Sequence, residues 1–313
     1  MEFLVAALLF ILGLVFIVKG GDYFVDAASW MAEISGIPKF IVGATIVSIA
    51  TTMPEMIVSV MAALDGKVDM GIGNAVGSVT VNTALIMGVA ICLLPFAINR
   101  KQYTFKMILL IIAAALLPLL CRNGQLGTFG SLVLLGLFLI FILENIRSAK
   151  EMKSTEPRPS VSRSVLTANI FKFVLGTAGI VLGSRLMVDN GSVLARLLGV
   201  PESIIGLTII AIGTSLPELV TMIVSVKKRQ VALSVGNIIG ANIIDLTSIL
   251  PICALVSGGT LPVALQSIAV DMPVCFLIVA VSLLPTLFTG RFQRWQGLVT
   301  IPAYATYLIM MAT

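Results

Sequence analysis

The chain has 313 residues, 58% of them hydrophobic and only 11% charged, with no histidine and a formal net charge of +5. A soluble domain runs about half apolar and about a quarter charged, so this composition excludes one, and it excludes disorder too. A helix needs about 20 largely apolar residues to cross a bilayer, so the length allows about ten spans and little else.

In chain order the apolar stretches run 3–20, 40–64, 70–98, 104–120, 127–146, 166–188, 203–226, 230–256, 268–289 and 295–312. Each reads as a membrane-spanning helix. The first has no basic leader and no small-residue cleavage site, so it reads as a retained span. The longest contain Gly, Pro and polar residues, which predicts kinks or breaks. The fold class is an all-α polytopic membrane protein of ten transmembrane helices. The connection at 147–165, with Lys, Glu, Pro and Ser, reads as a flexible linker.

Lys and Arg divide unevenly between the two sides. The odd-to-even connections collect sixteen: Lys19, Lys39, Arg100, Lys101, Lys106, Arg147, Lys150, Lys153, Arg158, Arg163, Lys172, Lys227, Lys228, Arg229, Arg291 and Arg294. The other side has four: Lys67, Arg122, Arg185 and Arg196. Basic residues favour the cytoplasmic side, so both termini are expected outside and the linker inside. The expected location is the plasma or inner membrane of the cell. Dispersed between spans without stacking aromatics, these charges are no nucleic-acid footprint.

One offset, 163 residues, superimposes two halves of the sequence. Gly36 and Pro38 map to Gly199 and Pro201; Gly43 and Thr45 to Gly206 and Thr208; Thr51, Pro54 and Glu55 to Thr214, Pro217 and Glu218. Gly73, Asn74 and Gly77 map to Gly236, Asn237 and Gly240, Asn82 to Asp245, and Asp26 to Asp189. The expected organisation is 1–146, a first five-helix repeat, and 166–313, a second. Five is odd, so the second repeat enters the membrane inverted. That is a transporter architecture with its site near the midplane.

Glu55, Glu218 and Asp245 fall inside apolar spans, and unpaired they would cost about 8–10 kcal/mol on insertion scales. No Lys or Arg lies at matching depth, so bound cations or protons must balance them. Pro54 and Pro217 cannot donate to the carbonyls of Ala50 and Gly213, which in lipid need another partner. Thr51 and Glu55 stand one turn apart on one helix face, as do Thr214 and Glu218. Two such halves face to face form an oxygen cage with two negative charges, which suits one Ca²⁺. Ser78 and Asn82 stand at the same spacing, with Ala241 and Asp245 in the corresponding places. Gly73 and Gly77, like Gly236 and Gly240, are expected to let helix backbones approach closely. Without histidine or paired cysteines, soft metals lose their usual ligands. Cys92, Cys121, Cys253 and Cys275 read as small buried hydrophobes. Asp26, Asp189 and Asp271 read as solvated residues at span ends, and Glu144 as a partner for loop cations.

The doubled pattern Gly-x-Thr-x-x-x-Ile-[Ala/Gly]-Thr-[Thr/Ser]-x-Pro-Glu, followed by Gly-Asn-x-x-Gly-[Ser/Ala]-x-x-x-[Asn/Asp], occupies 43–82 and 206–245. It resembles the two alpha repeats of the cation/calcium exchanger superfamily, in its prokaryotic sodium/calcium exchanger branch. The resemblance implies an antiporter that exports Ca²⁺ as Na⁺ enters. It implies that Thr51, Glu55, Thr214 and Glu218 coordinate Ca²⁺. The carbonyls of Ser48 and Ala211, with Thr52, Ser78 and Ser215, would form flanking Na⁺ sites, and Asn82 and Asp245 would complete the centre. Spans 1 and 6 would slide as the gate. Departures from the family pattern are Ala241 for serine, Ala50 for glycine, Thr52 for serine and Val79 for asparagine, and they bear on Na⁺ stoichiometry. Asp245 leaves K⁺ coupling open, and the same carboxylates would serve a proton/calcium exchanger. No permanent cofactor and no obligate protein partner is expected beyond inorganic cations and the bilayer. A channel is disfavoured because no pore-loop repeat appears. An enzyme is disfavoured because no histidine or Ser/Lys dyad lies at membrane depth.

Overall fold

The computed structural model describes residues 2–152, 162–199, 213 and 215–312. Among them the chain forms ten helices. They are α1 (Glu2–Ser35), α2 (Lys39–Leu64), α3 (Val68–Leu93), α4 (Arg100–Leu120), α5 (Thr128–Glu151), α6 (Arg163–Leu197), α7 (Leu216–Lys227), α8 (Val231–Val256), α9 (Ser267–Thr289) and α10 (Arg294–Ala312). Eight of them, all but α7 and α10, are long and apolar enough to cross a membrane. The chain is therefore a nearly all-helical, multi-pass membrane protein, in keeping with the ten spans expected.

The first and sixth helices overrun the apolar stretches that announced them. α1 continues fifteen residues past position 20, and α6 continues nine past 188. They pack on each other through a stripe of glycines. A Cβ added to Gly13 would lie 2.8 Å from the Gly183 carbonyl, and one added to Gly20 would lie 2.8 Å from that of Gly176. No larger residue fits there without parting the helices. Phe24 stacks on Phe173 at 4.8 Å below the stripe. The opposite face of α1, with Leu4, Leu8, Ile11 and Val15, is exposed on the protein and suited to lipid.

The centre of the bundle is α8, buried at every residue from Leu233 to Leu250. It meets the first turns of α2 backbone to backbone. A Cβ on Gly240 would stand 2.7 Å from the Ser48 hydroxyl and 2.8 Å from the Ala44 carbonyl, so the close approach expected of this glycine is present. Gly43 lies similarly against Leu233, and Gly236 against Phe40, but a Cβ on Gly73 or Gly77 of α3 would meet nothing within 4 Å among the described residues, so the close approach expected of those two glycines is absent. Three helices widen into π turns here: α2 at Gly43–Val47, α3 at Asn82–Met87 and α8 at Asp245–Ile249. A π turn displaces a backbone hydrogen bond and is often kept where a site needs it. Two of these begin on candidate site residues, Asn82 and Asp245.

Two short pairings close the ends. Gln125 and Leu126 pair antiparallel with Pro262 and Leu261, and Ala97 bridges Arg291. Lys106 corrects the count of loop cations. Asn99 caps α4 by accepting from the Lys101 amide at 3.1 Å, so the helix begins at Arg100 and Lys106 lies within it, fully buried. Its ammonium meets Glu144 of α5 at 2.5 Å. Glu144 thus has a cationic partner, but a helical one. Cys121, Cys253 and Cys275 are buried and Cys92 half-buried, all four as free thiols.

Candidate functional site

α2, α3, α7 and α8 bring most of the expected site residues into one buried region. Ser48, Thr51, Thr52 and Glu55 come from α2; Ser78 and Asn82 from α3; Ser215 and Glu218 from the start of α7; Asp245 from α8. All are buried. Ala211 and Thr214 lie outside the described residues. Asp26 and Asp189 are exposed; Asp26 pairs with Lys228, and Asp189 lines a cavity beside Pro54 and Pro217. Asp271 accepts from the Tyr307 hydroxyl at 2.9 Å, which occupies it elsewhere.

Partnerless carboxylate oxygen is what distinguishes the site among the described residues. Among the described residues, both carboxylate oxygens of Glu55 are buried without a hydrogen-bond partner, as are Glu218 Oε2, Asp245 Oδ1, Asn82 Oδ1 and the hydroxyls of Thr52, Ser78 and Ser215. Buried polar groups are almost always paired, so a cluster of exceptions needs a ligand to explain it. Glu55 feels the charge of Glu218 and Asp245, and Asp245 feels Glu218, so the three carboxyls share one electrostatic neighbourhood. Among the described residues no Lys or Arg is paired with any of them. Nor do three carboxylates or thiols there converge to grip one ion by themselves. Hydroxyl, amide and carbonyl oxygens must complete any coordination shell.

Thr51 gives the sharpest local case. Its hydroxyl lies 3.0 Å from Asn237 Oδ1, 3.4 Å from the Ser48 carbonyl and against the Glu218 carboxylate. One proton serves three acceptors. The surplus oxygen density suits a dehydrated cation. Thr51 belongs to the first half of the sequence and Glu218 to the second, so the site is assembled across the two.

Asparagines hold these helices in place, and sequence reasoning missed their role. Asn74 donates to Ser59 Oγ at 2.9 Å and to the Glu55 carbonyl at 3.1 Å, fixing α3 on α2. Asn237 donates to Thr221 Oγ1 at 3.1 Å, while Thr221 donates to the Glu218 carbonyl at 2.9 Å. Thr221 has thereby spent its proton, so the Asn237 amide nitrogen must face it and Oδ1 must face Thr51. Asn82 donates to Asn242 at 3.1 Å, and Asn242 to Thr83 at 2.8 Å, joining α3 to α8. The Gly-Asn pairs at 73–74 and 236–237 recur at the repeat offset, which was the available signal. Asn237→Ala should raise the half-saturating cation concentration about tenfold, the cost of one buried hydrogen bond, while leaving maximal transport intact. Titrating uptake against Ca²⁺ checks it, and an unchanged midpoint would remove Asn237 from the site.

Known proteins resemble this chain in sequence and fold. The model for "Sodium/calcium exchanger protein" matches residues 5–146 and 168–313. Inner membrane protein YrbG of Escherichia coli is 36% identical over 265 residues, spanning 82% of this chain and 81% of that protein. Sodium/calcium exchanger MaX1 of Methanosarcina acetivorans is 31% identical, spanning 97% of each. Among solved structures, the sodium-calcium exchanger NCX_Mj soaked with 2.5 mM Na⁺ and 10 mM Sr²⁺ superimposes with a TM-score of 0.85 at 26% identity, covering 98% of this chain and 99% of that one.

Proposed function

The chain belongs to the sodium/calcium exchanger family, and from that premise we propose that it is an antiporter exporting Ca²⁺ from the cell as Na⁺ enters. The observation that carries the reading is the set of buried, partnerless oxygens on Glu55, Glu218, Asp245, Asn82, Thr52, Ser78 and Ser215. Thr51, Thr214 and the carbonyls of Ser48 and Ala211 complete the proposed shell. Two glutamates at its centre match the charge of one Ca²⁺; hydroxyls and carbonyls around them suit Na⁺. Ala241 contributes no oxygen where its repeat mate Ser78 does, so one flanking site is poorer in ligands.

The proposed cycle alternates access between two inverted repeats, 1–146 and 166–313, joined by a cytoplasmic linker at 147–165. The glycine-packed pair α1 and α6 slides across the site as one body. Bound cations neutralise the carboxylates and lower the cost of passing through a closed, dry state. The empty cage keeps its charge and stays put, which makes exchange obligatory. Both end pairings fit this orientation. Ala97–Arg291 joins two connections proposed as cytoplasmic, and Leu126–Leu261 joins two proposed as external.

Uptake of radioactive Ca²⁺ into sodium-loaded proteoliposomes, diluted into sodium-free buffer, tests the proposal. Uptake should require the outward Na⁺ gradient and be absent from choline-loaded vesicles. Buried carboxylates also accept protons, so acid-loaded vesicles form the other arm. Uptake driven there instead would make the chain a proton/calcium exchanger, and a requirement for K⁺ would add a third cargo.

A further inference from the structure

The gate helices carry charges that the cation site does not use. Lys228, just past α7, reaches α1 and lies 2.8 Å from Asp26 Oδ1, 3.1 Å from Asp22 Oδ1 and 3.2 Å from the Asp22 carbonyl. Burial opposes its charge, but the two carboxylates outweigh that and hold its pKa above the ordinary lysine value. Asp22 and Asp26 are one turn apart and repel each other when Lys228 is away. Beside this triad the helices are shut tight. A Cβ on Gly21 would lie 2.7 Å from Val220 and 3.1 Å from Val224, and Val25 is buried.

At the other end of the pair the corresponding positions are open. The 163-residue offset carries Asp22, Asp26 and Lys228 to Arg185, Asp189 and Asp65. The signs of the first and third are exchanged, so attraction between loop and gate helix is preserved. Yet among the described residues Asp65 and Arg185 form no ion pair, and both are exposed. The mates of Val220 and Val224 are Ile57 and Met61, which are 47% and 53% exposed. Between α6 and the two site prolines lies a cavity of about 110 Å³, lined by Pro54, Val58, Arg185, Val188, Asp189 and Pro217. Val188, the mate of buried Val25, faces it.

We propose that the chain carries two alternating electrostatic latches: Lys228 with Asp22 and Asp26, closed here, and Asp65 with Arg185, open here. Sliding α1 and α6 past the site breaks one as it makes the other. Each latch stabilises the state in which its own end is sealed, so together they set which side the site faces at rest. The inference rests on the gating role proposed above for α1 and α6, not on which ions are carried.

Cysteine accessibility tests it in a background with Cys92, Cys121, Cys253 and Cys275 replaced. Val188→Cys reports on the open end and Val25→Cys on the sealed one, each labelled in proteoliposomes by a membrane-impermeant maleimide in choline buffer. Lys228→Gln should speed labelling at Val25→Cys and slow it at Val188→Cys by roughly two- to fivefold, the reach of an exposed ion-pair cluster. Asp26→Asn should act likewise should Lys228→Gln fold poorly, and Lys228→Arg should leave both rates unchanged. Asp65→Asn should shift both reporters the opposite way. Shifts in the same direction from Lys228→Gln and Asp65→Asn, or no shift from either, would overturn the latches. Labelling needs no cargo, so a failure of Na⁺-driven uptake would leave this result standing. Reagent added from each side separately tests the orientation.

Discussion

Glu55→Gln and Glu218→Gln should each reduce Na⁺-driven Ca²⁺ uptake at least about hundredfold while leaving a folded, inserted protein. Glutamine keeps the shape and one carbonyl oxygen and removes only the charge. A hundredfold loss corresponds to about 2.7 kcal/mol of cation binding, within reach of one charge facing a divalent ion in a water-poor site. The same substitutions should not harm folding. Both carboxylates are buried and have no cationic partner among the described residues, so each costs stability in the empty protein. The two outcomes are read separately, by vesicle uptake and by thermal melting in detergent. Melting should stay level or rise as transport disappears. Substantial transport in both variants would dismantle the cage. Lost transport with lost melting would mean that the glutamates serve the fold instead.

How much of this was legible in the sequence depended on contrast. Glu55, Glu218 and the two prolines stand out because they interrupt apolar stretches, and the offset that pairs them is visible without a structure. The structure gathers the two glutamates with Asp245 and the hydroxyls of Thr51, Thr52, Ser78 and Ser215 into one buried region. Helix ends were far less legible. α1 was expected to stop near position 20, where Lys19, Asp22 and Asp26 dilute the apolar signal. It continues to Ser35 because Lys228, two hundred residues away, pairs with those carboxylates, and because Gly20 and Gly21 seat it on α6 and α7. Neither cause is local, so no window over the sequence contains it. The asparagines were hidden in another way. Asn74 and Asn237 follow glycines that already had a packing explanation, Asn242 stands between Ala241 and Ile243, and an amide's value lies in which groups its two ends meet.

Lys106 carries the second large prediction, and the same argument explains its misassignment. It stands two residues inside the expected start of a span, where a lysine normally reaches water. Asn99 starts the helix earlier, so Lys106 is buried, with its ammonium 2.5 Å from Glu144 and 5.7 Å from the centre of the Phe40 ring. Glu144 also accepts from the Ser148 hydroxyl. Lys106→Met should destabilise the protein by about 3–5 kcal/mol, because it removes the buried partner of Glu144 and leaves that carboxylate only the exposed Arg147 for counter-charge. Lys106→Met combined with Glu144→Leu should recover most of that, since an apolar pair of similar volume is often as stable as the ion pair it replaces or about 1–4 kcal/mol more so. Neither residue belongs to the cage, so the double variant should transport Ca²⁺ with unaltered half-saturation. Thermal melting of both variants and the parent, with uptake by the double variant, decides the matter. A single variant as stable as the parent would mean that Glu144 finds water or a proton readily. A double variant that folds well but does not transport would give the pair a part in the cycle, through the Phe40 contact at the start of α2.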